Sequence, residues 1–312
     1  MSLFLQELIV GLTTGAIYAL IALGYTMVYG IIELINFAHG DIFMIGSLIA
    51  IVFLNMLGIT GAVPLGGFTL VWVMIVTCLI TMLLCAVLGV VIERVAYRPL
   101  RNAPRLAPLI SAIGVSLILE DIGKLWKGVT NVPFPQIFPQ ITYNIGSVNI
   151  SSVNILVIVV TVVLMIALHW FVSSTRIGRA MRAVAQDRDA AALMGVNVDR
   201  IISITFFIGA ALAGAAGFIY GLQYGSTIFS LGFQIGLIAF TAAVLGGIGN
   251  IVGAMLGGVL IGLIEAFATL IPDTVLPHGG APWHNAVIFA ILILILIFRP
   301  SGLLGQQTPE KV

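Results

Sequence analysis

Charge is what this chain has least of. Only 8% of its 312 residues are Asp, Glu, Lys or Arg, against 60% hydrophobic. A soluble domain carries about 25% charged residues, so the scarcity excludes a protein whose whole surface faces water. Lipid must be its main solvent. The net charge of +1 gives no reason to expect nucleic acid as a partner. Cysteine is almost missing too. Cys78 and Cys85 stand seven apart in one apolar run, on one helix face, where they cannot bridge each other. Packed thiols are expected there, not a redox pair or a metal site.

Other absences narrow the function. No Lys or Arg precedes the first apolar run, so the basic segment of a signal peptide is missing and the first span is expected to stay in the mature chain. No Gly-x-x-x-x-Gly-Lys-[Ser/Thr] pattern occurs, and that pattern is what cradles nucleotide phosphates. The glycine-rich Thr241-Ala-Ala-Val-Leu-Gly-Gly-Ile-Gly-Asn250 therefore reads as a tight cytoplasmic turn, with Asn250 capping the next helix. The chain is expected not to hydrolyse ATP, and to hold no cofactor or metal of its own. No file of carboxylates and histidines crosses the apolar runs, as a proton relay would need. No Ser/His/Asp or Cys/His set has a setting that suggests catalysis.

What is abundant is long apolar sequence. A helix needs roughly 20 apolar residues to cross about 30 Å of hydrocarbon. Uncharged runs near that length lie at 8–32, 42–57, 68–92, 106–119, 153–172, 201–222, 235–248, 251–271 and 286–298. The expected fold is all-α: one polytopic transmembrane domain over residues 1–312 with eight to nine helices. The second, fourth and seventh runs are short, so eight spans compete with nine. Orientation follows from Lys and Arg, which gather on the cytoplasmic side. Arg94, Arg98, Arg101 and Arg105 follow the third run, five arginines follow the fifth, and Arg299 and Lys311 follow the last. If nine spans alternate, all of these lie on one side and only Lys124 and Lys127 lie opposite. That places the N-terminus outside and the C-terminus in the cytoplasm. The Pro-rich stretches 123–152 and 272–283 should cover the outer face rather than span.

The few charges are unevenly placed. Residues 175–200 hold Arg176, Arg179, Arg182, Arg188, Arg200, Asp187, Asp189 and Asp199, eight of the chain's 25 charged side chains. Such an island is a solvent loop, a docking surface, or both. Glu33, His39 and Asp41 are expected at the cytoplasmic end of the first two spans, paired with arginines such as Arg94 or Arg98. Their sharper alternative is a part in relaying motion. Glu265 falls inside the eighth run. It either snorkels to the outer interface, bonds a neighbouring helix, or lines a substrate route, since charge inside a membrane is expensive enough to mark function. His278 and His284 flank an outer Pro-Gly turn and should face solvent. Glycines four apart (217, 221 and 225; 253 and 257; 258 and 262) suit close helix packing in lipid.

Inside the charged island stands Asp189-Ala-Ala-Ala-Leu-Met-Gly195. It resembles the Glu-Ala-Ala-x-x-x-Gly loop of ABC importer permeases, with Asp for Glu. Gly24-Tyr-Thr-Met-Val-Tyr-Gly-Ile-Ile-Glu-Leu-Ile-Asn-Phe-Ala-His-Gly-Asp41, Glu93-Arg-Val-Ala-Tyr-Arg-Pro-Leu100, Leu109-Ile-Ser-Ala-Ile-Gly114 and the 241–249 segment are similar to LivH-type permeases of the high-affinity branched-chain amino acid importer. The likeness runs from about residue 11 to 305 and is poorest at 127–154. Related permeases move urea, short amides or other amino acids; an ion-coupled carrier or channel is the rival class. The resemblance implies an importer in the bacterial inner membrane. Its parts would be a second, LivM-like permease, two cytoplasmic ATPases that use ATP and Mg, and a periplasmic binding protein that delivers leucine, isoleucine or valine. It implies that Arg188, Asp189, Ala190, Ala191 and Gly195 form the helix that couples to the ATPase.

Overall fold

The computed structural model describes residues 2–61, 65–101, 103–104, 106–145, 148–277, 279–299 and 301–305. Arg105, His278 and Lys311 lie outside them. Lipid offers backbone groups no hydrogen bonds, so apolar runs of this length must satisfy their own as helices. The described residues form α1 (Ser2–Ile32), α2 (Ala38–Met56), α3 (Gly67–Ile92), α4 (Leu106–Lys127), α5 (Ser152–Ser174), α6 (Arg176–Gln186), α7 (Arg188–Leu193), α8 (Val198–Tyr224), α9 (Leu231–Gly246), α10 (Ile251–Ala268) and α11 (His284–Phe298). A π-helical turn, Glu93–Tyr97, and a 3-10 turn, Arg98–Leu100, extend α3.

Among the described residues, eight helical segments are long and apolar enough to cross a membrane. The ninth apolar helix is α9, with 16 residues, about 24 Å at 1.5 Å per residue. It can be short because it does not meet lipid at both ends. The start of α9 abuts the start of α2 inside the bundle: a Cβ added to Gly40 would lie 2.3 Å from the Gly232 carbonyl oxygen and 2.6 Å from Gly236 Cα. The rival counts of eight and nine spans thus differ by one buried helix.

α1, α2 and α8 form the centre, and α3, α4, α5 and α11 surround it; Ile288 is the one buried residue of α11. Small residues let the central helices touch along their backbones. α10 uses two faces for this. Gly253 and Gly257 press on Gly246 and Ala242 of α9, while Gly258 and Gly262 press on Ala19, Gly15 and Gly11 of α1. Gly217 of α8 meets the backbone of Phe43 and Ser47 in α2. The glycine spacing serves packing within this chain, except at Gly225, which has nothing near its Cβ and ends α8 with φ +68°.

Two short antiparallel pairings cover one end: a hairpin of β2 (Thr142–Ile145) with β3 (Val148–Ser151), and a long-range pair of β1 (Val132–Pro133) with β4 (Ser226–Thr227). The stretch after α4 covers that end as expected, with Phe134 and Ile137 buried and Phe134 lying on Gly221. At the other end, Asn250 caps α10 by accepting from Gly253 N–H at 3.1 Å. There Leu303 and Leu304 N–H bond the last carbonyls of α9, at Leu245 and Gly246. Cys85 is buried and Cys78 partly so, both free thiols.

Candidate functional site: the basic end and the junction beneath it

The charged island folds into two helices, not one. α6 begins at Thr175, whose hydroxyl accepts from Gly178 N–H at 3.0 Å. It is strongly amphipathic: Gly178, Met181 and Val184 are buried, while its arginines stay outside. The spacing of Ile177, Met181 and Val184 behind a Thr cap carried that signal. α7 follows at once. The Asp187 carboxylate accepts from Asp189 and Ala190 N–H, both at 3.0 Å, and Asp189 sits in the first turn, where the helix dipole favours an anion.

The end of α7 is set by Gly195. Val196 N–H reaches the Ala191 carbonyl and Gly195 N–H that of Ala192, each at 3.0 Å. This double closure needs a left-handed residue at its turn, and Gly195 has φ +82°. Ala191 is the side buried against the bundle, whereas Leu193 and Met194 are 89% and 85% exposed. The thin alanine helix thus ends in two apolar side chains held out from the protein.

The arginines of this stretch have a job that the sequence did not reveal. Arg182 donates to the carbonyls of Val172 and Ser173, at the end of α5. Arg188 donates to the Ile31 carbonyl, at the end of α1, at 2.7 Å. Both supply a cation and N–H donors where a helix leaves carbonyls unpaired. Asp199, at the start of α8, pairs with Arg98 and Arg101. Arg101 also pairs with the fully buried Glu93, to which Ser203 donates at 2.7 Å. The loops after α3 and after α5 therefore sit at one end of the bundle and are tied together.

Glu33, His39 and Asp41 do not form one cluster, and the expected pairs with Arg94 or Arg98 are absent among the described residues; Arg98 is on Asp199. Glu33 is exposed and ends α1 with φ +58°. His39 and Asp41 are buried at 1% and 0% exposure because α2 begins inside the bundle. The His39 ring fits only because residue 24 is glycine; a Cβ there would stand 2.2 Å from its Nε2. Tyr25 packs edge-on against it at 4.8 Å. Ser116 of α4 donates to Asp41, and Tyr97 donates to Asn36 at 2.8 Å. The pairing expectation failed because it assumed that the helix break lay at the membrane surface.

Glu265 lies near the other end, on α10. Tyr18 faces it and His284 Nε2 is 3.9 Å from its Oε1. His284 thus turns toward Glu265, not to solvent alone.

A helical bundle that lipid must surround, with a charged two-helix segment projecting from one end, defines a polytopic membrane protein of the permease class. The chain matches the profile of the family described as branched-chain amino acid transport system / permease component over residues 8–296. It is 46% identical to the high-affinity branched-chain amino acid transport system permease protein BraD of Pseudomonas aeruginosa, over 99% of this chain and 98% of that protein. It is 42% identical to the permease protein LivH of Escherichia coli with the same coverage. A probable LivH of Methanocaldococcus jannaschii is 26% identical over 92% of the chain and 88% of that protein. No solved structure matches. The chain belongs to this family of transport-system permease components.

Proposed function

We propose that this chain is one of two permease subunits of an ATP-driven importer for leucine, isoleucine and valine. The observation that carries the reading is α7, a capped, thin helix that holds Leu193 and Met194 in water at the basic end. Rigid apolar anchors with charged flanks suit a groove in another protein. Arg188, Asp189, Ala190, Ala191 and Gly195 form this coupling element. Two cytoplasmic ATPases dock on it and on its counterpart in a LivM-like partner, and they use the ATP and Mg. The names of the BraD and LivH relatives support the substrate class.

The ties around α7 suggest how docking reaches the membrane. Arg188 holds the Ile31 carbonyl, two residues before Glu33, and α2 begins just beyond with His39 and Asp41 buried. A push on α7 moves that junction, and Glu33, His39 and Asp41 relay it inward. A periplasmic binding protein delivers the amino acid, and no ion path is needed. The chain sits in the bacterial inner membrane with its N-terminus outside and its C-terminus in the cytoplasm.

The test is leucine uptake by proteoliposomes holding the full set of subunits, read beside ATP hydrolysis. Wild type should take up leucine only with ATP. Gly195→Leu should keep the complex assembled but lower leucine moved per ATP about tenfold or more, as a contact worth over 1.4 kcal/mol is lost. Unchanged coupling in that variant would remove α7 from the mechanism.

A further inference from the structure

Four helices meet around Glu265. Its carboxylate is 21% exposed, and His284 is its one ion-pair partner among the described residues, at 3.9 Å. Tyr18 of α1 faces it. Beside it, Thr14 of α1 and Tyr224 of α8 share a hydrogen bond of 3.1 Å, and the Tyr220 and Tyr224 rings lie 4.4 Å apart. Glu265 Oε2 is buried and has no hydrogen-bond partner among the described residues. A half-buried carboxylate whose neighbours are the Tyr18 phenol, which interacts with it as a hydrogen-bond donor, and an imidazole, with no Lys or Arg partner among the described residues, is a costly arrangement.

Depth and exposure say which way the cluster faces. Gly30 of α1 lies against Gly249, in the turn at the basic end. Thr14 is roughly 24 Å farther along α1 at 1.5 Å per residue, so the cluster is in the opposite third of the bundle. It opens to the surface of this chain, because Tyr224 is 47% and the His284 side chain 31% exposed. A carboxylate facing lipid on such a face is costly. A water-lined passage or the seam with a second subunit tolerates it.

We propose that Glu265, framed by Tyr18, Tyr220 and Tyr224, receives the α-ammonium group of the amino acid as it enters from the outer side. The chemistry fits an ammonium ion. The carboxylate gives a charge-assisted acceptor, Oε2 is the open position, and the phenol rings add cation–π faces. The inference rests on the reading that the cargo is an amino acid.

The experiment uses the complete importer in proteoliposomes with leucine-loaded binding protein. Absent uptake by wild type would sink the substrate reading and this inference with it. With wild type active, Glu265→Gln should lower leucine uptake about ten- to a hundredfold, as expected for losing a hydrogen bond to a charged group. Its ATP hydrolysis should remain within about twofold of wild type, a change worth under half a kcal/mol. Glu265→Asp, which keeps the charge, should fall between the two. Uptake by Glu265→Gln equal to wild type would overturn this proposal alone. Should the Gln variant fail to assemble, a carbodiimide can label Glu265 in the wild-type complex, read by peptide mass spectrometry. Leucine should slow that labelling, and 4-methylpentanoate, the same molecule without its amine, should not. Equal effects of the two, or no labelling, would overturn the proposal.

Discussion

At the scale of single residues, backbone conformation and burial separate contacts that look alike in sequence. Glu33 holds φ +58°, a region that costs a non-glycine residue about 1–2 kcal/mol. Glu33→Gly should therefore raise the thermal midpoint in detergent or leave it unchanged; a clear drop would show that the carboxylate has a stabilising partner. Arg98 and Arg101 both reach Asp199, but Arg98 is 46% exposed, while Arg101 is 13% exposed and also holds the fully buried Glu93. An exposed pair contributes about 0–1 kcal/mol, whereas stranding a buried charge costs about 3–5 kcal/mol. Arg101→Ala should thus lose far more folded protein than Arg98→Ala, measured by thermal unfolding of the purified subunit. Equal losses would contradict the burial argument.

At the scale of elements, the close approach of backbones decides what is tolerated. A Cβ on Gly262 would stand 2.2 Å from the Gly15 nitrogen, so Gly262→Leu forces α10 off α1 and should abolish a monodisperse, protease-resistant protein. Gly114→Leu, with nothing within 4 Å of its Cβ, should be tolerated in the same assay. Most helices were legible from run length alone, since lipid leaves an apolar stretch no alternative. The start of α2 was not. The run suggested 42, but Ala38, His39, Gly40 and Asp41 are helical and buried, because Gly24, Gly232 and Gly236 make room for them. α6 was legible in principle through its Thr175 cap and apolar stripe, yet its charge hid it. The spacing from Asp189 to Gly195 marks a short helix with a glycine stop, and the structure shows that helix ended by Gly195 at φ +82°.

At the scale of the whole molecule, the two ends of the bundle differ in chemistry. One end gathers the ties among α1, α3, α5, α6, α7 and α8 through arginine; the other carries the hairpin and the Glu265 cluster. The proposed orientation predicts that an impermeant maleimide on intact cells will label Asn144→Cys on the exposed hairpin and spare Ala185→Cys on α6. The reverse pattern would invert the molecule and place Glu265 on the cytoplasmic side.

The sequence by itself determined the solvent, the class of fold, the basic end and the short capped helix Arg188–Leu193 that Gly195 ends. Those follow from composition, run length, charge bias and local turn chemistry, each of which acts over a few residues or over the whole chain. The tertiary structure decided which charges are buried and what they meet. His39 and Asp41 sit in the interior, Arg182 caps the helix before its own and Arg188 the distant α1, and Glu265 stands among phenols from α1 and α8. Several of these contacts join residues far apart in the chain, Arg188 to Ile31 across 157 positions and Asp41 to Ser116 across 75, and such partners are set by where glycine lets two helices touch.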